Sequence, residues 1–225
     1  IHWEKNTQNE NRLIELSMHS EKLNGIIPES IGNLEYLRSL DMRTNQLKGT
    51  IPVTIGNLSM LEEIKLSHND LEGGIPSELI NLPQLKTLYL FGNHLSDTLP
   101  SFNDGLALEE IKLYQNNLSG VIPESIENLL QLRNLQLNYN NLSGEIPIDL
   151  LRLPNMNTLK LSHNQLTGLI PNEICNIERV YLEDNILTGP VPDCVCNMVY
   201  ISLSNNNLCE DSPNCIDIGS QSCSP

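Results

Sequence analysis

The feature that most constrains this chain is a repeat. The stretch from Leu108 to Gln131, Leu-Glu-Glu-Ile-Lys-Leu-Tyr-Gln-Asn-Asn-Leu-Ser-Gly-Val-Ile-Pro-Glu-Ser-Ile-Glu-Asn-Leu-Leu-Gln, returns in register along nearly the whole sequence. Its apolar residues Leu108, Ile111, Leu113, Leu118, Ile122, Ile126 and Leu129 fit neither a helical period nor sustained alternation. They suit one coil of a flattened spiral in which every straight segment sends a side chain to a shared centre. One such coil cannot cover its own apolar side, so it is stable only when similar coils stack above and below it. In this register coils start at Leu13, Leu37, Leu61, Leu85, Leu108, Leu132, Met156, Ile177 and Met198, with lengths of 24, 24, 24, 23, 24, 24, 21 and 21 residues for the eight complete ones.

Each recurrent residue has a physical task. The alternation in Leu-x-x-Leu-x-Leu puts the fourth and sixth positions of a coil inside and makes a short strand, and stacked strands pair into a parallel sheet. The outward positions are then the second, third, fifth, seventh and eighth. An asparagine follows at Asn45, Asn69, Asn93, Asn116, Asn140, Asn164, Asn185 and Asn206, with Glu21 in its place in coil 1. Buried at a turn, such an amide donates to and accepts from backbone groups of its own and the adjacent coil. A glycine recurs at the next bend, from Gly25 to Gly189, with Asp97 as the exception. The following proline, from Pro28 to Pro192, fixes φ and removes a donor, so its segment joins a second sheet only in part.

The frame Leu-x-x-Leu-x-Leu-x-x-Asn-x-Leu-x-Gly-x-Ile-Pro resembles the leucine-rich repeat family, and Gly-x-Ile-Pro with Gly-Asn-Leu marks its plant-type subclass, over roughly residues 11 to 208. The resemblance implies an α/β solenoid: a curved right-handed superhelix with a parallel β-sheet on the concave face and short 3-10 or irregular convex segments. It divides the chain into an N-terminal cap remnant (1–12), eight repeats (13–197), and a last partial repeat with a Cys-rich cap (198–225). Plant-type members carry two cysteines around a Trp in the N-terminal cap, and only Trp3 of that pattern stands here. The opening lacks an initiator Met and an apolar signal core, which suggests a mature form or an excised fragment.

The formal charge of −15 argues against nucleic acid and anionic membranes as partners. No apolar run reaches membrane-spanning length, so direct membrane insertion by this segment is not expected. Eight basic and nine acidic residues fall on the outward strand positions, so the concave face is electrically mixed and most of the charge lies on the back and rims. Aromatic residues are sparse but grouped. Tyr89, Tyr114, Tyr139, Tyr181 and Tyr200 take outward strand positions, together with Phe91. Tyr89, Phe91, Tyr114 and Tyr139 are expected to form one exposed patch near the middle of the arc, although tyrosine also favours strands for its own sake.

All six cysteines lie in the last quarter, and they allow fifteen pairings. Cys175 and Cys196 each sit nineteen residues after the start of their own coil, which suggests that they stack and pair. The tail from Asn206 to Cys215 resembles the family's C-terminal cap, which implies Cys209 with Cys215 and leaves Cys194 with Cys223. A zinc site at Cys194-x-Cys196 is the alternative, but no flanking His supports it, and no metal or other cofactor is expected. Disulfides imply an oxidising compartment, hence a secreted or cell-surface location. Asn57, Asn117 and Asn141 each open an Asn-Leu-Ser glycosylation sequon, although Asn-Leu-Ser-Gly is also the repeat's own consensus.

Catalytic constellations are lacking in the sequence. The five histidines lie on separate segments, and Glu62-Glu63 and Glu109-Glu110 read as solvated strand starts rather than as a glycosidase pair. A non-enzymatic role is therefore expected. Members that the chain resembles serve as receptor ectodomains or as secreted inhibitors of cell-wall polysaccharide hydrolases, such as polygalacturonase, and both use the concave face. This implies a protein, peptide or glycan ligand held by Tyr89, Phe91, Lys112, Tyr114, Gln136, Asn138 and Tyr139. The rival reading is a structural cell-surface, wall or filament component that assembles with other surface proteins through the solenoid edges. Ice binding would want a regular Thr or Asn column, and the outward strand columns are too mixed for it.

Overall fold

A computed structural model describes residues 1–5, 11–209, Pro213 and Cys215. The fold is a solenoid whose principal sheet has ten strands, one per coil plus an added edge strand. From Asn11–Ser17 through Ser39–Asp41, Glu63–Lys65, Thr87–Tyr89 and Glu110–Lys112 to Tyr200–Ser202, neighbouring coils pair in parallel and in register. The register places Leu40, Ile64, Leu88, Ile111, Leu135, Leu159 and Val180 in one inward column, each buried to within 1% of complete. The end coils lack a neighbour, and there Leu13, Leu16, Met198 and Ile201 are only partly covered.

The asparagine ladder joins the coils as the sequence predicts. In Asn116, Nδ2 donates to Leu113 O at 3.0 Å in its own coil and to Leu90 O at 3.1 Å in the preceding one. Its Oδ1 accepts the Leu95 N–H at 3.0 Å. The same pattern holds from Asn69 to Asn206, all buried. At the open end, the backbone N–H of Glu21 donates to Asn45 Oδ1 at 3.1 Å, so the residue that replaces the ladder asparagine in coil 1 is served by the next coil.

Beyond the ladder a second, interrupted sheet forms. Four strands (Asn24–Ile26 to His94–Leu95), three (Ser119–Gly120 to Gln165–Leu166) and two (Thr188–Gly189 with Asn207–Leu208) follow one another. The first break falls at coil 4, where Asp97 stands at φ +64° in the place of the glycine and only a Thr98–Ser119 bridge continues the pairing. The second falls where the coils shorten to 21 residues. The convex side carries single 3-10 turns such as Glu29–Asn33 and Glu124–Asn128, and one α turn at Ser77–Ile80, most of them opened by the repeat proline. The turns stack tightly: a Cβ on Gly32 would lie 2.4 Å from the Thr54 carbonyl oxygen of the next coil.

Outside the repeat, His2–Lys5 forms a further strand that pairs antiparallel with Asn11–Ser17 at that edge of the sheet. One feature differs from the sequence reading. The disulfides are Cys175–Cys194 and Cys196–Cys215, not Cys175–Cys196, Cys209–Cys215 or Cys194–Cys223. Cys209 is also in a disulfide, and Cys223 lies outside the described residues. The physical reason is side-chain direction. Residues at the same position of stacked coils point in parallel, so a bridge needs a diagonal partner two residues short of the 21-residue period. Both bridges span 19 residues, with Cα separations of 6.0 and 5.6 Å that a disulfide accommodates.

Candidate functional site on the concave face

The concave strands fix the backbone under every outward side chain, and what those side chains do is set by their columns. Charges pair along the strand two residues apart: Lys65 with Glu63 at 2.7 Å and Lys112 with Glu110 at 3.0 Å between the fifth and third columns, and Arg43 with Asp41 at 2.7 Å between the seventh and fifth. At the strand starts, Glu62 receives Lys86 at 2.8 Å and Arg38 at 3.5 Å, and Glu109 faces Arg133 at 3.7 Å. The carboxylate pairs Glu62-Glu63 and Glu109-Glu110 are thus engaged by cations of their own sheet.

Tyr89 sits inside this network. Its hydroxyl donates to Glu110 Oε2 and accepts from Lys112 Nζ at 2.9 Å, while the Lys112 ammonium lies 4.3 Å from the ring centroid. Burial and the bond to Glu110 hold the Tyr89 phenol above its ordinary pKa. Burial pulls the Glu110 carboxyl upward, but donation from Tyr89 and Lys112 outweighs it and leaves the carboxyl below its ordinary value.

The rings predicted as one patch divide. Phe91 and Tyr114, equivalent residues of coils 4 and 5, stack with centroids 4.4 Å apart and planes 10° off parallel. His68 meets Phe91 edge-on at 5.0 Å, and Tyr89 lies 6.3 Å from it. Tyr139 turns the other way and stacks on His163 at 4.0 Å. His163 Nδ1 is in turn 3.3 Å from Asp184 Oδ2.

The cause is the backbone of the eighth column. Thr44, His68, Gln115, Tyr139, His163, Asp184 and Asn205 all have φ between +54° and +57°, a left-handed conformation that costs a non-glycine residue on the order of 1 kcal/mol. It gives the eighth column a side-chain direction of its own, so that Tyr139 stacks on His163 within that column while Phe91 and Tyr114 stack within the seventh. Sequence spacing alone treats the seventh and eighth positions as one surface, which is why the separation of Tyr139 from Tyr114 and the role of His68 and His163 were missed. The signal was present: His68 and His163 occupy the same column as Tyr139.

Of the remaining expected residues, Gln136 Nε2 donates to Asn134 Oδ1 at 3.1 Å, and Asn138 lies beside them with its Oδ1 buried and without a hydrogen-bond partner. Tyr181 and Tyr200 form a separate tilted pair at 4.7 Å in coils 8 and 9. The sequon asparagines Asn57, Asn117 and Asn141 are all exposed; the last two share one position of adjacent coils, Asn141 opening a flank strand and Asn117 lying two residues before one. Among the described residues no helix is long and apolar enough to cross a membrane.

Comparison with known proteins agrees with this architecture. The Leucine Rich Repeat family profile matches residues 36–58, 60–82, 84–106, 107–129, 131–153 and 155–177, each starting one residue before a coil start. No curated protein sequence matches the chain. The ectodomain of the receptor kinase GASSHO1/SCHENGEN3 from Arabidopsis thaliana, solved with CASPARIAN STRIP INTEGRITY FACTOR 2, is similar at 35% identity and a TM-score of 0.81, over 87% of this chain and 24% of that one. The plant peptide hormone receptor RGFR1, solved with RGF2, is similar at 36% identity and 0.80, over 83% and 31%. A plant ice-binding protein is similar at 27% identity and 0.72, over 92% and 69%. The chain therefore spans less than a third of the length of either receptor ectodomain.

Proposed function

Because the chain belongs to the leucine-rich repeat family, we propose that it is an extracellular recognition module that holds a peptide or protein ligand on its concave face. The observation that carries this reading is the Phe91–Tyr114 stack, an aromatic pair placed outward in the middle of the sheet with His68 against its edge. Rings on a sheet already ordered lose little freedom when a ligand docks, so a few of them can dominate affinity. Tyr89 and Lys112 form a charged border beside the stack, and the Gln136 amide and Asn138 beside it continue the same surface. Tyr139 extends the surface along the eighth column. RGFR1 is a peptide hormone receptor solved with RGF2, and GASSHO1/SCHENGEN3 was solved with CASPARIAN STRIP INTEGRITY FACTOR 2, which supports the ligand class. The disulfides support an oxidising location outside the cell. Glycans at Asn117 and Asn141 would shield the flank and leave the concave sheet open.

A photo-crosslinking residue at Gln136 in the secreted chain tests this. The expected result is a discrete cross-linked species that disappears when Tyr114→Ala and Tyr139→Ala are combined. A species unaffected by the two substitutions refutes the assignment. Cross-links at multiples of the chain's own mass, formed from the flank, would favour a structural assembly instead.

A further inference from the structure

The first three coils and the strand added before them carry a second surface, at the edge where the strands start. Three clefts follow one another there, of about 380 Å³ beside Trp3, Arg12 and Tyr36, about 130 Å³ beside Arg12, Tyr36, Arg38 and Met60, and about 330 Å³ beside Arg38, Met60 and Glu62. Arg12 and Tyr36 line the first two, and Arg38 and Met60 the last two, so the clefts form one furrow. Three coil steps give it a length of roughly 14 Å at ~4.8 Å per strand.

The repeat does not demand this lining. Arg12, Tyr36 and Met60 each precede the first leucine of their coil, and the same place in coils 5 to 7 holds Ala107, Gln131 and Asn155. A guanidinium, a ring and a thioether therefore stand where the repeat accepts small or amide side chains. The Arg12 guanidinium lies 3.8 Å above the Tyr36 ring, which holds its plane and its donors in a fixed direction. Among the described residues Arg12 is also the only arginine with no carboxylate within ion-pair distance, in a chain of charge −15. Trp3 is 55% exposed at one end of the furrow, and Arg38 and Glu62 offer donors and acceptors at the other.

We propose that this furrow binds a short neutral oligosaccharide. A sugar ring presents C–H groups on its face, which suit the exposed Trp3 and Tyr36 rings, and hydroxyls at its rim that both donate and accept. Arg12 supplies the free donors and Glu62 the acceptor. Along the walls the carboxylates of Glu4, Glu35 and Glu62 balance Lys5, Arg12 and Arg38, so a polyanion meets no excess of positive charge there. An apolar peptide anchor would need a closed pit, whereas Trp3 and Met60 stand out as ridges. The furrow lies apart from the Phe91–Tyr114 stack, so its ligand is additional to the one assigned above.

Trp3 is the only tryptophan of the chain, so its emission reports on this furrow alone. Titration of the intact protein with cellotetraose, xylotetraose and mannotetraose is expected to give, for at least one, a saturable emission shift with reduced acrylamide quenching. The apparent affinity should fall about tenfold or more in Tyr36→Ala and in the conservative Arg12→Gln, and persist in Tyr114→Ala. No saturable change with any of the three sugars, or an undiminished response in both furrow variants, overturns the proposal. A response to tetragalacturonate alone overturns the neutral assignment. None of these outcomes bears on the concave-face reading, which is tested through Gln136.

Discussion

Replacing Asn140 by alanine tests the ladder that holds the coils together. Asn140 Nδ2 donates to Leu137 O at 3.0 Å and Leu113 O at 3.1 Å, and Oδ1 accepts the Leu118 N–H at 3.0 Å. The two carbonyls keep a second donor after the change, Asn164 on Leu137 O and Asn116 on Leu113 O, each at 3.0 Å. The Leu118 N–H does not, and it is buried. An orphaned buried donor costs about 1–3 kcal/mol, and each lost carbonyl bond adds about 0.5–1.5 kcal/mol at most, so a loss of about 3 kcal/mol is expected. For a domain of this size that lowers Tm by roughly 6–12 °C. Asn45→Ala, at a half-buried asparagine of coil 2 that faces the open end coil, should cost about 1 kcal/mol because water reaches the freed groups. Calorimetry gives the shift in Tm, and hydrogen exchange should show the Leu118 amide losing most protection, since solenoid stability is the sum of local interfaces. If Asn140→Ala lies within about 0.5 kcal/mol of the parent, or Asn45→Ala costs as much, the ladder is not what joins the coils.

Three further outcomes follow from the packing and the charges. Gly32→Ala drives a methyl group into the Thr54 carbonyl and should destabilise by about 1–3 kcal/mol as the backbone shifts; a melting temperature equal to the parent's contradicts the close approach. Peptide mapping without reduction should recover Cys175 linked to Cys194, and removing that pair as Cys175→Ala/Cys194→Ala should cost about 3 kcal/mol for a loop of this length, read by denaturant unfolding. Because the Glu110 carboxyl sits below its ordinary pKa when folded, its contribution is present above the unfolded value of about 4 and is lost as pH falls through the lower folded value. Glu110→Gln should accordingly flatten the loss of stability below pH ~4, and an unchanged acid limb refutes the coupling.

How much was legible in the sequence depends on which side of the coil a residue faces. The inward columns repeat because each must fill the same space, so Leu40, Ile64, Leu88 and Ile111 announce one another, and the ladder asparagines could be assigned before any coordinates. The disulfides and the tyrosine contacts were not legible in this way. Their outcome depends on the direction of a side chain within a coil: a diagonal reach for Cys175, and a left-handed turn for Tyr139. Position counting fixes which coil a residue belongs to, not where its side chain points. The antiparallel strand His2–Lys5 lies outside the repeat, so no periodicity could announce it.

The same division bears on recognition. The cations of the central sheet, Arg43, Lys65 and Lys112, are already held by Asp41, Glu63 and Glu110 on their own strands. A ligand gains little by replacing one carboxylate with another at these places, and exposed pairs of this kind contribute little in any case. The rings are different, because Phe91 and Tyr114 remain only half-buried, and covering the rest of their surface by a partner breaks no existing ion pair. The interior columns and the ladder fix the coil, and the outward seventh and eighth columns are then free to vary without loss of fold. That freedom is why a sequence that declares its architecture so strongly declares its ligand so weakly: the residues that select a partner are the ones the repeat does not constrain.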